Sequence, residues 1–247
     1  MILNPTEKLL KKLPSISETD LARFAVLPID RQVGLLKGYR VFSGRVPTYK
    51  ALRATTPDIL NIGHDLFGEP KPTDIRAITR LIIKRVHTPR ELRMNVRTAR
   101  ALYTLAQNHG LTSRKEFFPP FVIRAGIEVS YSLPLISNLH SEPFTFFIDP
   151  RNQHRLDETA RRFVFSMMHE RTRELDPDFQ SLNLGIIQFN NSFTTRTAQL
   201  YSDKGLSLFS MDELRSMINT TYNLWEEIWN ERQYKGPPAS TGTHGLF

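Results

Sequence analysis

The amino-acid sequence predicts an α+β fold, in which a helical N-terminal domain precedes a small α/β domain with a sheet of roughly four to five strands. Two observations support this prediction. Apolar residues in the first half recur three or four positions apart between prolines, which is typical of short helices. The second half contains two runs, 143–149 and 182–189, that are rich in aromatic and branched residues and have the length of buried strands.

The N-terminal domain is predicted to span residues 1–115 and to be helical. Ser15 and Glu18 have the spacing of a capping box, in which each residue bonds a backbone amide at the start of a helix. Thr88 and Glu91 form a second capping box ahead of the best-defined helix. The helices after the first are predicted at 30–41, 58–67, 73–86 and 89–108.

An α/β domain is predicted over residues 116–235. A linker at 112–121 contains Pro119 and Pro120 and leads into this domain. Strands are expected at 127–136, 143–149, 182–189 and 196–202. Helices are expected at 157–175 and 210–232, and Ser210 and Glu213 form a third capping box. Residues 236–247 are predicted to be a flexible tail.

Composition excludes several classes of site. The chain has no cysteine among its 247 residues, which excludes disulfides, thiolate zinc sites and cysteine nucleophiles. The motifs GxxxxGK[ST], GxGxxG and GxSxG are absent, so nucleotide hydrolysis, Rossmann chemistry and hydrolase nucleophiles are unsupported. No apolar run approaches the ~20 residues of a membrane helix, and the N-terminus lacks the apolar core of a signal peptide. We therefore expect a cytoplasmic protein without a membrane partner.

Positive charge is concentrated in the first half. Residues 1–115 hold 21 Lys and Arg against 9 Asp and Glu, a net charge of +12, whereas residues 116–247 have a net charge of −4. Seven basic residues lie three or four positions apart on the two predicted helices 73–86 and 89–108: Arg76, Arg80, Lys84, Arg90, Arg93, Arg97 and Arg100. Because arginine matches phosphate oxygens with two parallel hydrogen bonds, such a row can follow a nucleic-acid backbone. These residues are the candidate nucleic-acid-binding site.

Other interpretations of these helices remain open. The basic residues could pair with acidic residues of the C-terminal half, or could simply be solvated. The short connection between the two helices also allows a helix-turn-helix, although a glycine is missing from the turn.

A second candidate site surrounds the end of the strand predicted at 143–149. Around Phe147-Ile148-Asp149-Pro150-Arg151 the sequence resembles the PD-(D/E)XK nuclease family of RecB-like type. The resemblance implies that Asp149 binds a metal and that Arg151 occupies the position of the family's lysine. Glu128 is the nearest further acid, and Mg²⁺ would be the cofactor. The sequence departs from the pattern in having arginine for lysine and no aspartate around 132–135. The alternative is that Asp149-Pro150 turns the chain at a strand end.

The charge pattern favours a non-catalytic accessory protein that binds the phosphate backbone of nucleic acid through its arginine-striped helix, without cofactor or resident metal. One alternative is a divergent, Mg²⁺-dependent PD-(D/E)XK-like nuclease with Asp149, Arg151 and Glu128 as its site. The other is a protein–protein adaptor that binds an acidic partner.

Overall fold

A computed structural model describes residues 13–40, 48–62, 72–124, 127–191 and 195–235. These residues form helices and strands of an α+β fold, which confirms the predicted class. The helices are α1 Glu18–Ala25, α2 Ile29–Gly38, α3 Lys50–Ile59, α4 Ile75–Ile83, α5 Pro89–Asn108, α6 Glu158–Thr172 and α7 Met211–Lys235. The strands are β1 Thr112–Lys115, β2 Phe121–Arg124, β3 Ile127–Val129, β4 Leu135–Leu139, β5 Glu142–Asp149, β6 Asn183–Asn191 and β7 Arg196–Ser202. The predicted tail 236–247 lies outside the described residues.

Five strands form one mixed sheet in the order β1–β4–β5–β6–β7. β5 and β6 are parallel, and the other neighbours are antiparallel. A parallel pair needs a crossover connection, which α6 supplies. β2 and β3 form a separate antiparallel hairpin. None of the helices in the described ranges is long and apolar enough to cross a membrane.

Helices cover both faces of the sheet. Side chains along β5 and β6 alternate between the two faces, so each strand contributes apolar residues to both cores. Phe146 and Phe189 pack in one core with α3, α4 and α5, called here the α3–α5 layer. Phe147 and Ile186 pack in a second core with α1, α2, α6 and α7, called here the α6–α7 layer. Gly185 of β6 packs closely on the first face, where a Cβ atom would lie 2.5 Å from Cδ1 of Phe146. A larger residue there would displace that ring.

The two halves of the chain contribute to both cores. The predicted boundary at residue 115 falls at the end of β1, which pairs with β4 in the sheet. α1 and α2, from the first half, pack against α7, and α5 packs against β7. Independent folding of residues 1–115 and 116–235 stays a prediction, and the shared cores argue against it, since a domain has its own core.

Two predicted connections differ from the structure. The predicted linker 112–121 begins with strand β1, where the Ser113 hydroxyl bonds the Leu60 carbonyl and the Ser137 hydroxyl, each at 2.7 Å. The predicted strand 127–136 divides into β3 and β4, which lie in different sheets. Tyr131 between them has a φ of 42°, which an extended strand does not allow, and Pro134 follows.

Two predicted features of the helices also differ from the structure. Ser17, not Ser15, caps α1, because its hydroxyl accepts from the Asp20 amide. Residues 60–62 of the helix predicted at 58–67 are not helical, since α3 ends at Ile59, and residues 63–67 lie outside the described part. The start of α3 is held by the buried Asn95 side chain, whose amide oxygen lies 2.9 Å from the Leu52 amide nitrogen. This contact comes from α5 and has no local sequence signal.

Candidate functional site

The seven basic residues predicted to bind nucleic acid are all exposed in the structure. Six of them project from α4 and α5, which pack against each other, and Lys84 begins the connection between the two helices. Ile78 and Ile82 of α4 and Leu102 of α5 are buried in the core on the opposite side of each helix. The structure therefore places both rows on the outside of the α3–α5 layer. These residues, Arg76, Arg80, Lys84, Arg90, Arg93, Arg97 and Arg100, are called here the basic surface.

Within the described ranges, none of the side chains of the basic surface forms an ion pair. The Asp74 carboxylate accepts from the backbone amide of Arg76 at the start of α4. Glu91 is buried and accepts from the backbone amides of His87 and Thr48 and from the Thr48 hydroxyl. These bonds, that of His87 first, hold the pKa of Glu91 below its ordinary value. Pairing with the acidic C-terminal half is therefore not observed among these residues.

The second candidate site, at the end of β5, is an ion-pair network. Asp149 is buried, with its carboxylate oxygens 3.1 Å from Arg151 Nε and 3.4 Å from Gln188 Nε2. Arg151 also lies 2.6 Å from the Asp20 carboxylate of α1, which in turn lies 3.1 Å from Arg23. Burial, and then the neighbouring Arg151 guanidinium, lowers the pKa of Arg23. The network joins the end of β5 to α1.

The structure does not bring Glu128 into this network. Glu128 is exposed on β3, in the separate hairpin, where it pairs with Val122. The sheet strand that precedes β5 is β4, which has no acidic residue. In the part of the chain that is described, no three His, Asp or Glu side chains lie together in a group that could hold a metal. Asp20, the acid that Asp149 reaches through Arg151, comes from α1 rather than from a neighbouring strand.

A third feature lies between β7 and α7, where four residues, Leu206-Ser207-Leu208-Phe209, form neither helix nor strand. They are called here the 206–209 segment. A turn at Gly205, whose φ is 79°, leads into it. The Leu206 side chain is 37 % exposed, and Ser207 is exposed. Leu208 and Phe209 are half-buried and pack against the core of the α6–α7 layer.

Both ends of the 206–209 segment are anchored. Before it, the buried Asp203 accepts from the Leu184 amide and pairs with Arg173 at 2.7 Å. At its end, the Phe209 amide donates to the Ser166 hydroxyl at 2.9 Å, and the Arg162 guanidinium lies 3.8 Å from the centre of the Phe209 ring. Between these anchors, the amides of Ser207 and Leu208 bond to none of the described residues. A short apolar segment with unused backbone donors is therefore held at the surface.

Comparison with known proteins identifies the family. The model of the family described as "Sliding clamp-binding bacterial toxin SocB" matches residues 19–235. The chain belongs to this family. A relative, the "DNA replication inhibitor toxin SocB" of Caulobacter vibrioides (strain NA1000 / CB15N), is 29% identical over 235 residues, which cover 92% of this chain and 95% of the relative. No solved structure matches the chain. The family is not the nuclease family that the region around Asp149 resembles, and that resemblance is unconfirmed.

Members of the SocB family bind a protein, the sliding clamp, according to the family's description. A surface that binds a protein partner commonly exposes apolar side chains, and the 206–209 segment exposes Leu206. Sequence reasoning missed this segment because it has no helical or strand periodicity. A signal was present: three apolar residues in four, between a predicted strand and the Ser210–Glu213 capping box.

Proposed function

We propose that this chain binds a bacterial sliding clamp and thereby inhibits DNA replication. The observation that supports this function is the extent of the family match, since residues 19–235 include nearly all of the described fold. The relative described as a replication inhibitor aligns over almost the whole of both chains. In this function the chain is a protein-binding module, as in the adaptor alternative.

The 206–209 segment is the clamp contact in this proposal. A short apolar segment docks in a partner's groove by filling pockets with its side chains and by pairing its backbone. The exposed Leu206 provides an apolar side chain, and the amides of Ser207 and Leu208 are available as donors. The anchors at Asp203 and Phe209 hold the segment in place before binding, which reduces the conformational entropy lost on association.

Several other exposed apolar side chains are less suited to this role, because they lie on helices or strands. Leu35 lies on α2 and Ile83 lies on α4, where their backbone amides are used by the helix, and Ile29 lies in the first turn of α2. Val122 lies on the short β2–β3 hairpin. Single exposed apolar residues of this kind are normal on protein surfaces.

Binding of the full chain to the purified sliding clamp of the bacterium that encodes it, measured by isothermal titration calorimetry, tests the proposal. Leu206→Ala should weaken binding at least about tenfold, because truncation of an interface anchor commonly costs more than ~1.4 kcal/mol. Leu35→Ala is a matched control, since Leu35 is 38 % exposed and Leu206 is 37 % exposed. The control should bind as the unmodified chain does.

Absence of clamp binding by the unmodified chain would contradict the proposed function. Full binding by Leu206→Ala would contradict only the assignment of the 206–209 segment. Incorporation of labelled thymidine in cells that produce the chain gives the second readout. The unmodified chain and Leu35→Ala should stop incorporation, and Leu206→Ala should not.

A further inference from the structure

The basic surface has an unusual position among the arginines of this chain. Several guanidinium groups elsewhere are engaged within the fold: Arg151 pairs with Asp20, Arg173 pairs with Asp203, and Arg124 pairs with Glu226. On α4, α5 and their connection, the seven cations of the basic surface are exposed together, and none forms an ion pair within the described residues. No carboxylate among the described residues neutralises these cations, and a bound anion would do so.

The spacing of these cations opposes helix stability. Arg93 and Arg97 are four residues apart, as are Arg76 and Arg80, and like charges at this spacing repel each other on a helix. Their carboxylate neighbours do not relieve the repulsion, because Glu91 is turned inward to Thr48 and His87. A bound polyanion would offset this repulsion, because its negative charges attract the arginines on either side.

The dimensions of the basic surface fit a nucleic-acid backbone. The α5 row runs from Arg90 to Arg100, which corresponds to about 15 Å along a helix at ~1.5 Å per residue. Double-stranded DNA carries one negative charge per roughly 1.7 Å of its axis, so this length faces several phosphates. Six of the seven residues are arginine, whose planar donors match phosphate oxygens in pairs.

We propose that the basic surface binds the phosphate backbone of double-stranded DNA without reading its sequence. A single-strand site would present aromatic rings for base stacking. The aromatic residue of these two helices, Tyr103, is half-buried rather than exposed. An acidic protein partner would require apolar anchors at the centre of the contact. In the described structure, α4 and α5 expose one large apolar side chain, Ile83. One such side chain does not form the apolar centre that a protein partner requires.

This binding goes beyond the proposed clamp contact and uses the other side of the molecule. The basic surface lies outside the α3–α5 layer, whereas the 206–209 segment packs on the α6–α7 layer, across the sheet. The two surfaces do not share residues, so one chain can hold a clamp and a DNA duplex at the same time.

Fluorescence anisotropy of a labelled DNA duplex of random sequence, titrated with the full chain at several salt concentrations and without clamp, tests the inference. The binding constant should fall linearly with salt on logarithmic axes, because each neutralised phosphate releases counterions. Arg93→Ala combined with Arg97→Ala should weaken binding to every duplex and reduce the slope by up to about two.

A charge-matched control is available on the other layer. Arg31 of α2 and Arg215 of α7 are exposed, and replacing both by alanine removes the same two charges from the net +8. This control should retain the full salt slope. An equal loss in both double variants would show attraction by net charge alone, and an unchanged slope in Arg93→Ala/Arg97→Ala would remove the basic surface from binding; either result overturns the inference.

Two further arms separate the inference from its alternatives. Polyglutamate that competes as strongly as unlabelled duplex would indicate an acidic protein partner instead of DNA, and would also overturn the inference. Arg93→Ala/Arg97→Ala should bind the clamp normally, and Leu206→Ala should bind DNA normally. Failure of clamp binding therefore leaves the DNA measurement interpretable, and the reverse also holds.

Discussion

Arg171 and Arg97 both lie on helices that pack against the central sheet, Arg171 on α6 and Arg97 on α5. Arg171 is 4 % exposed and donates to the backbone carbonyls of Phe118, Pro119 and Ser130. Arg97 is exposed and forms no ion pair among the described residues. The same residue type therefore joins segments of the fold at Arg171 and faces solvent at Arg97.

The contrast extends to other arginines of the α6–α7 layer. Arg232 of α7 donates to the carbonyls of Leu36, Lys37 and Tyr39, and so joins α7 to the end of α2. Arg124 pairs with Glu226 at 2.6 Å and attaches the β2–β3 hairpin to α7. Net charge alone does not distinguish these structural arginines from those of the basic surface. The partners of each guanidinium make the distinction.

Replacement of Arg171 should give the largest loss of stability. Arg171→Met removes the donors of at least three carbonyls, and each buried acceptor left without a partner costs about 1–3 kcal/mol. We expect the free energy of unfolding to fall by at least about 3 kcal/mol in urea titrations. Burial lowers the pKa of Arg171 to about 10, so the guanidinium is still protonated at neutral pH and supplies all its donors.

The matched control for Arg171→Met is Arg97→Met, which makes the same chemical change on an exposed helix position. The control should change stability by less than about 0.5 kcal/mol. A loss below about 1 kcal/mol in Arg171→Met would show that water replaces its hydrogen bonds, and the contrast between Arg171 and Arg97 would then weaken.

Replacement of Glu91 should lower the free energy of unfolding by an intermediate amount that depends on pH. Glu91→Gln replaces a charged acceptor of three hydrogen bonds and should cost about 1–3 kcal/mol at pH 7. Because the folded state lowers the pKa of Glu91, its contribution is present above the unfolded pKa of about 4.3 and is lost as the pH falls through the folded pKa. Urea titrations at pH 7 and at pH 3 should therefore show the cost shrinking in acid. An equal cost at both pH values would assign the effect to packing, and Glu91 would not be a charged anchor.

Local features of the fold could be predicted from sequence. The helix predicted at 89–108 has the bounds of α5, and its Thr88 cap is formed, because the capping residue and the helical spacing are neighbours in the chain. The start of α3 could not be predicted, since it depends on Asn95, which lies 43 residues from Leu52. The break between β3 and β4 depends on the left-handed conformation of Tyr131, which no turn motif marks.

The candidate sites also differ in how far the sequence could predict them. Exposure of the basic surface follows from residue spacing on a helix, so the sequence could indicate it. The neighbours of Asp149 could not be predicted, because Arg151 bonds Asp20 across 131 residues of chain. The 206–209 segment also escaped prediction, since its position depends on Ser166 and Arg162 of α6.

The smallest expected effect is the change in the free energy of unfolding when two arginines of the basic surface are replaced. Arg93→Ala combined with Arg97→Ala should raise the free energy of unfolding slightly or leave it within about 0.5 kcal/mol, because removal of the like-charge pair relieves about 0.2–0.5 kcal/mol of repulsion and alanine favours helix. Urea titrations at low and high salt check this, and the small gain should shrink at high salt as the charges are screened. A loss above about 1 kcal/mol would place these residues with Arg171 as structural arginines. A weakened affinity for DNA in the same variant would then reflect a damaged α5 rather than missing phosphate contacts, so this measurement decides how the binding experiment is interpreted.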